Sequence, residues 1–323
     1  MNIGVIGGGA WGTALAQVLA SGGHDVTLWA LEPEVVAGIN AGENAIYLPG
    51  VPLSGFRATG DLAPLAGAEA ILVVTPAQHT RGVLAKLPAT RAPLLLCSKG
   101  IEAGSHKLLS EVAAEAQPGA AVGVLSGPTF AAEVARGLPT AVTIAMEDAD
   151  AAERMAEAIA LPSFRTYAST DVIGAEIGGA VKNVLAIACG VVEGAGLGQN
   201  ARAALIARGF AEMTRFGLAR GSRAETLAGL SGLGDLVLTC SSTASRNFSL
   251  GVGLGQGRAA TELMADRRTV AEGAFTAPVL CEAAEAAGID MPVAQGVRAL
   301  LEGADVRAVI GELLARPLTR EHV

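Results

Sequence analysis

Lysine is scarce in this chain. Of 23 basic residues among 323, four are lysine, at Lys86, Lys99, Lys107 and Lys182, and the rest are arginine. No basic side chain precedes Arg57. A secretory leader needs a basic segment ahead of its apolar run, so export is not predicted and a cytoplasmic location is expected. Long apolar runs are missing too. No window reaches the ~18 uncharged apolar residues of a membrane span, and the run at residues 184–192 is bounded by Lys182, Asn183 and Glu193. No membrane insertion is expected. The four cysteines, Cys97, Cys189, Cys240 and Cys281, lie far apart without a CxxC pair. That excludes a zinc knuckle and a disulfide framework, and predicts small buried thiols. Positive charge is outweighed, 23 basic against 31 acidic groups for a net −8. A broad nucleic-acid or anionic-membrane surface is therefore excluded. A few placed cations meeting a small anion are not.

What is present is an apolar chain, 51% hydrophobic, able to bury a large core. Its first half alternates short β-rich runs with helical stretches. Strands are predicted at 2–7, 24–30, 70–75, 93–98, 121–126 and 140–146, with a helix at 11–21 stopped by Gly22 and Gly23. Apolar runs without strict alternation suit a parallel sheet covered on both faces. Beyond about Ser169 no strand is legible, and helical spacing recurs at 171–192, 201–218, 277–287, 293–302 and 306–315. The predicted fold is α/β. A Rossmann-type doubly wound sheet over residues 1–168 is followed by an all-helical domain over 169–323. The apolar helices of the second half suit either a homodimer face or a core.

Gly7, Gly9 and Gly12 form GxGxxG directly after the first strand, and Ala10 and Trp11 open the first helix. Gly7 suits a tight turn, Gly9 a close approach of backbone amides to a pyrophosphate, and Gly12 close helix–sheet packing. The helix amino terminus adds unpaired N–H groups and a positive dipole end. After the second strand come Leu31 and Glu32. An acidic group there accepts from a free ribose 2′-hydroxyl, and a basic one meets a 2′-phosphate. Glu32 fits the first role, or is a solvated loop carboxylate. The cofactor is predicted to be NAD or NADP, and the absence of a basic residue favours NAD. The nucleotide half is the more acidic, with 9 basic and 15 acidic groups against 14 and 16 beyond Ser169. Pyrophosphate there would rely on amides and a helix end.

Lys182 lies among glycines and aliphatics in GGAVKNVL. Desolvation there would favour a general base, a role closed to arginine, which does not deprotonate. The bland alternative is a snorkelling lysine on a helix edge. Lys99 follows a strand of the nucleotide half, where ligands bind in such sheets. Gly127 and Thr129 lie in a small-residue turn after the strand at 121–126. Asp235 is either a helix cap or, with Lys99, a catalytic group that orients Lys182 and the substrate oxygens. Arg246, between Ser245 and Asn247, is either a phosphate clamp or a solvated surface arginine. No metal-ligand cluster is legible.

These residues together resemble a known family. GGGAWGTALA (7–16), NAIYLPG (44–50), CSKGIE (97–102), LSGPTFAAEVARGLPTA (125–141), GGAVKNVLAI (178–187), NARAALIARGFAEM (200–213), GLGDLVLTC (232–240), SRN (245–247) and VAEG (270–273) are similar to bacterial NAD(P)-dependent sn-glycerol-3-phosphate dehydrogenase over nearly the whole chain. The resemblance implies interconversion of dihydroxyacetone phosphate and sn-glycerol 3-phosphate, feeding glycerophospholipid synthesis. It implies Lys182 as proton acceptor. It implies substrate contacts at Lys99, Gly127, Thr129, Asp235, Ser245, Arg246 and Asn247, and cofactor contacts at Trp11, Lys99, Ala131, Arg246, Val270 and Glu272. Many members carry a basic residue after the second strand where this chain has Leu31. Two rivals stay open: a lysine-based 3-hydroxyacid or keto-acid reductase of similar plan, and a nucleotide sensor without turnover.

Overall fold

The structure, a computed structural model, describes residues 1–265 and 271–317. The chain divides into two compact units, residues 1–102 with 107–172, and residues 103–106 with 173–323.

Unit 1 carries one eight-stranded sheet. Its strands are β1 (Asn2–Ile6), β2 (Asp25–Trp29), β3 (Phe56–Thr59), β4 (Ala70–Val73), β5 (Leu94–Leu96), β6 (Val122–Ser126), β7 (Thr140–Met146) and β8 (Phe164–Ser169), in the spatial order β3-β2-β1-β4-β5-β6-β7-β8. Helices Ala10–Ser21 (α1), Pro33–Asn40 (α2), Thr80–Leu84 (α3), Leu109–Ala116 (α4), Ala131–Ala135 (α5) and Ala149–Ile159 (α6) accompany them. The central strands are apolar at nearly every position because both faces are covered; β4 and β5 are wholly buried. Strand order reverses between β1 and β4, which makes their carboxyl ends the topological switch point.

Two features depart from the sequence expectation. β7 runs antiparallel to β6, so the sheet is not purely parallel, and β8 then continues parallel to β7. β3 and β8 are edge strands, FRAT and FRTYAS, with one residue of β3 and three of β8 exposed. An edge strand needs no continuous apolar run, so neither shows in the apolar pattern.

Unit 2 is helical among the described residues. Its elements are Val172–Gly194 (α7), Gly198–Ala219 (α8), Ala224–Leu227 (α9), a π-helical turn at Leu230–Gly234, Asp235–Thr239 (α10), Arg246–Gly255 (α11), Ala260–Leu263 (α12), Glu272–Ala286 (α13), Pro292–Leu301 (α14) and Val306–Leu314 (α15). α7 is long and apolar enough to cross a membrane, but 94% of its most apolar window is buried, so it is a core helix. α13 begins at Glu272, more than a turn before the apolar spacing that starts at Ala277, because the Gly273 amide finds an acceptor in Asn247 Oδ1 at 2.9 Å. All four cysteines are buried free thiols.

α7 and α11 touch backbone to backbone. A Cβ placed on Gly190 would lie 2.1 Å from the Phe248 carbonyl oxygen, and one on Gly251 would lie 2.0 Å from that of Ile187. Gly194 and Gly255 repeat the contact one turn on, at 2.1 Å from Val252 O and 2.4 Å from Val191 O. Glycine at all four positions lets the helix that carries Lys182 and the helix that carries Arg246 pack without intervening side chains.

Glu212 on α8 is 2% exposed and caps α14, accepting from Val293 N at 2.8 Å and Ala294 N at 3.4 Å. Burial outweighs these bonds and the nearby Arg215 charge, and Asp290 adds to it, so the carboxyl is pushed up to about 7. A raised folded-state value means the neutral form is favoured. Its contribution to stability is complete below about pH 4.5 and is lost as pH rises through about 7, a change of up to about 3 kcal/mol. Glu212→Gln should therefore gain stability relative to the parent between pH 5 and pH 8. Urea denaturation midpoints at the two pH values check this, and a constant difference between the proteins would refute it.

Candidate active site

In unit 1 the glycine-rich turn sits at the switch point. Gly7 has φ +130°, where a side chain is strained, and its Cβ would lie 2.7 Å from Val74 O beyond β4. A Cβ on Gly12 would lie 1.9 Å from Gly7 O, so α1 can start this close to β1 only with glycine there. Gly9 is different, since a Cβ on it meets nothing within 4 Å. It is the N-cap of α1 and offers no side-chain cap, so the first-turn amides, Ala10 and Trp11 among them, have no intrahelical acceptor. Trp11 Nε1 is buried without an acceptor among the described residues. Open space over Gly9, uncapped donors and the positive helix end are what a dinucleotide pyrophosphate requires, and the residues fit that group.

The loop after α2 braces this turn. Asn44, which is buried, donates through Nδ2 to Gly8 O at 2.9 Å and to Thr13 Oγ1 at 2.8 Å. Glu32 is the N-cap of α2 just past β2 and accepts from Tyr47 Oη at 3.1 Å, whereas Leu31 is 73% exposed. On the other half of the sheet, Lys99 lies three residues past β5 and donates to Gly127 O at 3.4 Å. Gly127 packs so closely that a Cβ would lie 2.9 Å from Ala141 O. Thr129 Oγ1 also donates to Gly127 O, at 3.4 Å, and Ala131 is the first residue of α5. Lys99, Gly127 and Thr129 are thus brought together around one carbonyl.

Unit 2 gathers a second constellation. Lys182 on α7 is 6% exposed, and its Nζ donates to Asp235 Oδ1 at 2.6 Å and to Thr239 Oγ1 at 2.9 Å. Thr239 Oγ1 donates in turn to the same Asp235 oxygen at 3.2 Å. Asp235 is fully buried at the start of α10, directly after the π-helical turn. Such turns re-aim side chains at functional sites, and this one delivers Asp235 and Thr239 on one face toward α7. Lys182 is therefore no snorkelling edge residue. It is a buried ammonium held by a buried carboxylate, and burial and charge act on its proton in opposite senses. Thr239 was not among the sequence candidates. The signal for it is the spacing Asp235–Thr239, an i,i+4 pair that shares a helix face.

Next to Lys182, Asn183 Oδ1 accepts from Asn247 Nδ2 at 2.9 Å, and Asn247 Oδ1 accepts from Gly273 N at 2.9 Å. Asn247 thus ties α7, α11 and α13 together, with Glu272 the first residue of α13. Ser245 is the N-cap of α11, accepting from Phe248 N at 3.2 Å, which uses one lone pair of the hydroxyl and leaves its O–H able to donate. Arg246 is exposed at the first helical position of α11. Val270 lies outside the described residues. Among the described residues no group of three or more His, Cys, Asp or Glu side chains could hold a metal ion.

Comparison with known proteins agrees over both units. Residues 2–152 match the NAD-dependent glycerol-3-phosphate dehydrogenase N-terminus model, and residues 171–310 match the C-terminus model of the same name. Glycerol-3-phosphate dehydrogenase [NAD(P)+] of Erythrobacter litoralis is 65% identical over 99% of this chain and 98% of its own length. Glycerol-3-phosphate dehydrogenase [NAD(P)+] 1 of Sphingopyxis alaskensis is 62% identical over the same shares. A crystal structure of glycerol-3-phosphate dehydrogenase from Coxiella burnetii is 39% identical, with a TM-score of 0.92 over 98% of this chain and 99% of that one. A ketopantoate reductase from Ralstonia eutropha, at 17% identity and TM-score 0.60, is alike in fold alone. The glycine cradle, the buried lysine–aspartate pair and these matches lead to one conclusion: the chain belongs to the NAD-dependent glycerol-3-phosphate dehydrogenase family.

Proposed function

We propose that this chain interconverts dihydroxyacetone phosphate and sn-glycerol 3-phosphate with NAD or NADP, in the cytoplasm, supplying glycerophospholipid synthesis. The observation that carries the chemistry is the buried Lys182–Asp235–Thr239 cluster. In the direction of reduction the Lys182 ammonium gives its proton to the oxygen on substrate C2. In oxidation the neutral amine takes the proton from that hydroxyl. Asp235 and Thr239 hold Nζ in place, so proton transfer needs no reorganisation of the lysine. A bound nicotinamide would exchange a hydride with C2. Gly7, Gly9, Ala10, Trp11 and Gly12 would hold the dinucleotide, with Glu32, Ala131, Val270 and Glu272 as further contacts. Lys99, Gly127 and Thr129 are the candidate substrate contacts of unit 1.

Arg246 is the proposed phosphate clamp, because it is a guanidinium exposed at a helix amino terminus, where dipole and side chain favour the same anion. Arg246→Ala should lower kcat/KM for dihydroxyacetone phosphate about 100-fold, as expected for losing charge-assisted bonds to phosphate. Activity with unphosphorylated dihydroxyacetone should stay within about threefold. Equal losses on both substrates would refute the clamp. The function itself is tested by a panel of dihydroxyacetone phosphate, dihydroxyacetone and short keto acids with NADH and with NADPH. Preference for a keto acid would transfer the chain to the reductase rival, and binding without turnover would make it a sensor.

A further inference from the structure

The carboxyl end of β2 carries more than an acidic residue. Tyr47 Oη donates to Glu32 Oε1 at 3.1 Å, and Tyr47 is itself pinned. Its backbone amide donates to Asn44 Oδ1 at 3.1 Å, while the Asn44 amide group is fixed on Gly8 O in the glycine-rich turn. The Tyr47 ring packs on the core of unit 1. One short loop therefore sets the position of the glycine cradle and of the Glu32 carboxylate together. The tyrosine occupies one carboxylate oxygen and steers the group, and Oε2 keeps its acceptor capacity.

The surrounding charge is one-sided. No lysine or arginine occurs before Arg57, and Glu34 in the first turn of α2 adds a further negative group. Arg57 is engaged with Asp25, the first residue of β2 and so at the opposite end of that strand. A ribose with two free hydroxyls can donate to a fixed carboxylate. A 2′-phosphate offers only negative charge there, and nothing in the first 56 residues compensates it.

We propose that Tyr47 is a positioning residue for cofactor choice, holding the Glu32 carboxylate for the free adenosine ribose hydroxyls of NAD(H) and against the 2′-phosphate of NADP(H). This rests on the dehydrogenase reading above. The test is equilibrium binding of NADH and NADPH to the full chain by calorimetry, for the parent, Tyr47→Phe, Glu32→Gln and the double variant, alongside turnover of dihydroxyacetone phosphate. The parent should bind NADH about tenfold or more tighter than NADPH. Tyr47→Phe should weaken NADH about three- to tenfold, leave NADPH within about twofold, and leave kcat at saturating NADH unchanged. Glu32→Gln should weaken NADH and tighten NADPH, and the double variant should match Glu32→Gln alone, since Tyr47 acts through that carboxylate. The proposal is overturned if Tyr47→Phe weakens both nucleotides equally, if the two substitutions add, or if the parent does not discriminate. Turnover of dihydroxyacetone phosphate in that event leaves the dehydrogenase reading standing, whereas failure to bind either nucleotide removes both.

Discussion

Replacing Lys182 by methionine should lower turnover of dihydroxyacetone phosphate about 10³-fold, the range for loss of a positioned acid–base group. Methionine nearly preserves side-chain volume and removes only the proton carrier. NADH binding should be unchanged, because Lys182 is not among the proposed contacts to the dinucleotide. Stability must be separated from chemistry, since the substitution leaves fully buried Asp235 without its cation. Stranding one member of a buried pair costs about 3–5 kcal/mol. The double variant Lys182→Met with Asp235→Asn removes that stranded charge, and urea denaturation should show most of the lost stability restored. Turnover should remain about 10³-fold down, because neither amide nor thioether can carry the proton. If the double variant recovers activity along with stability, the lysine is structural and the assignment fails.

Much of this site could be read before the fold was known. Lys182 stands out because a strongly hydrated ammonium among glycines and aliphatics has to be doing something other than facing water. Gly7, Gly9 and Gly12 are legible because their spacing follows a strand and opens a helix. The less legible residues depend on distance along the chain. Lys182 meets Thr239 across 57 positions, and the connection runs through a π-helical turn that no simple periodicity announces. Asn247 reads as a ligand contact, and it is also a brace, with one amide hydrogen on Asn183 and its oxygen accepting from Gly273. Ser245 reads likewise, and it also caps its own helix. Both are short polar side chains at a helix start, where a cap, a brace and a phosphate contact share one composition. In the sheet, β3 and β8 escape notice because edge strands lack the doubly buried apolar run. The antiparallel turn of β7 escapes because direction leaves no mark on an apolar sequence.

The glycines of unit 2 supply a test in which one substitution changes sign with position. Gly190→Ala places a Cβ 2.1 Å from the Phe248 carbonyl oxygen, and that neighbour is backbone, so no rotamer change can relieve the contact. α7 and α11 have to separate, breaking the parallel contacts at Gly194, Gly251 and Gly255. A loss of about 3 kcal/mol or more is expected, at the upper end for overpacking because the displaced unit is a whole helix. Gly311→Ala lies in α15, exposed, with nothing within 4 Å of the added Cβ. There the better helix propensity of alanine should stabilise by up to about 1 kcal/mol. Denaturant midpoints for the two variants should therefore move in opposite directions from the parent. The catalytic consequence separates them as well. A displaced α11 carries Arg246 with it, so surviving Gly190→Ala protein should show a raised KM for dihydroxyacetone phosphate, while Gly311→Ala should keep the parent kinetics. If Gly190→Ala proved as stable as the parent with an unchanged KM, α7 and α11 would not touch backbone to backbone, and the basis for holding Lys182 and Arg246 on one rigid helix pair would be lost.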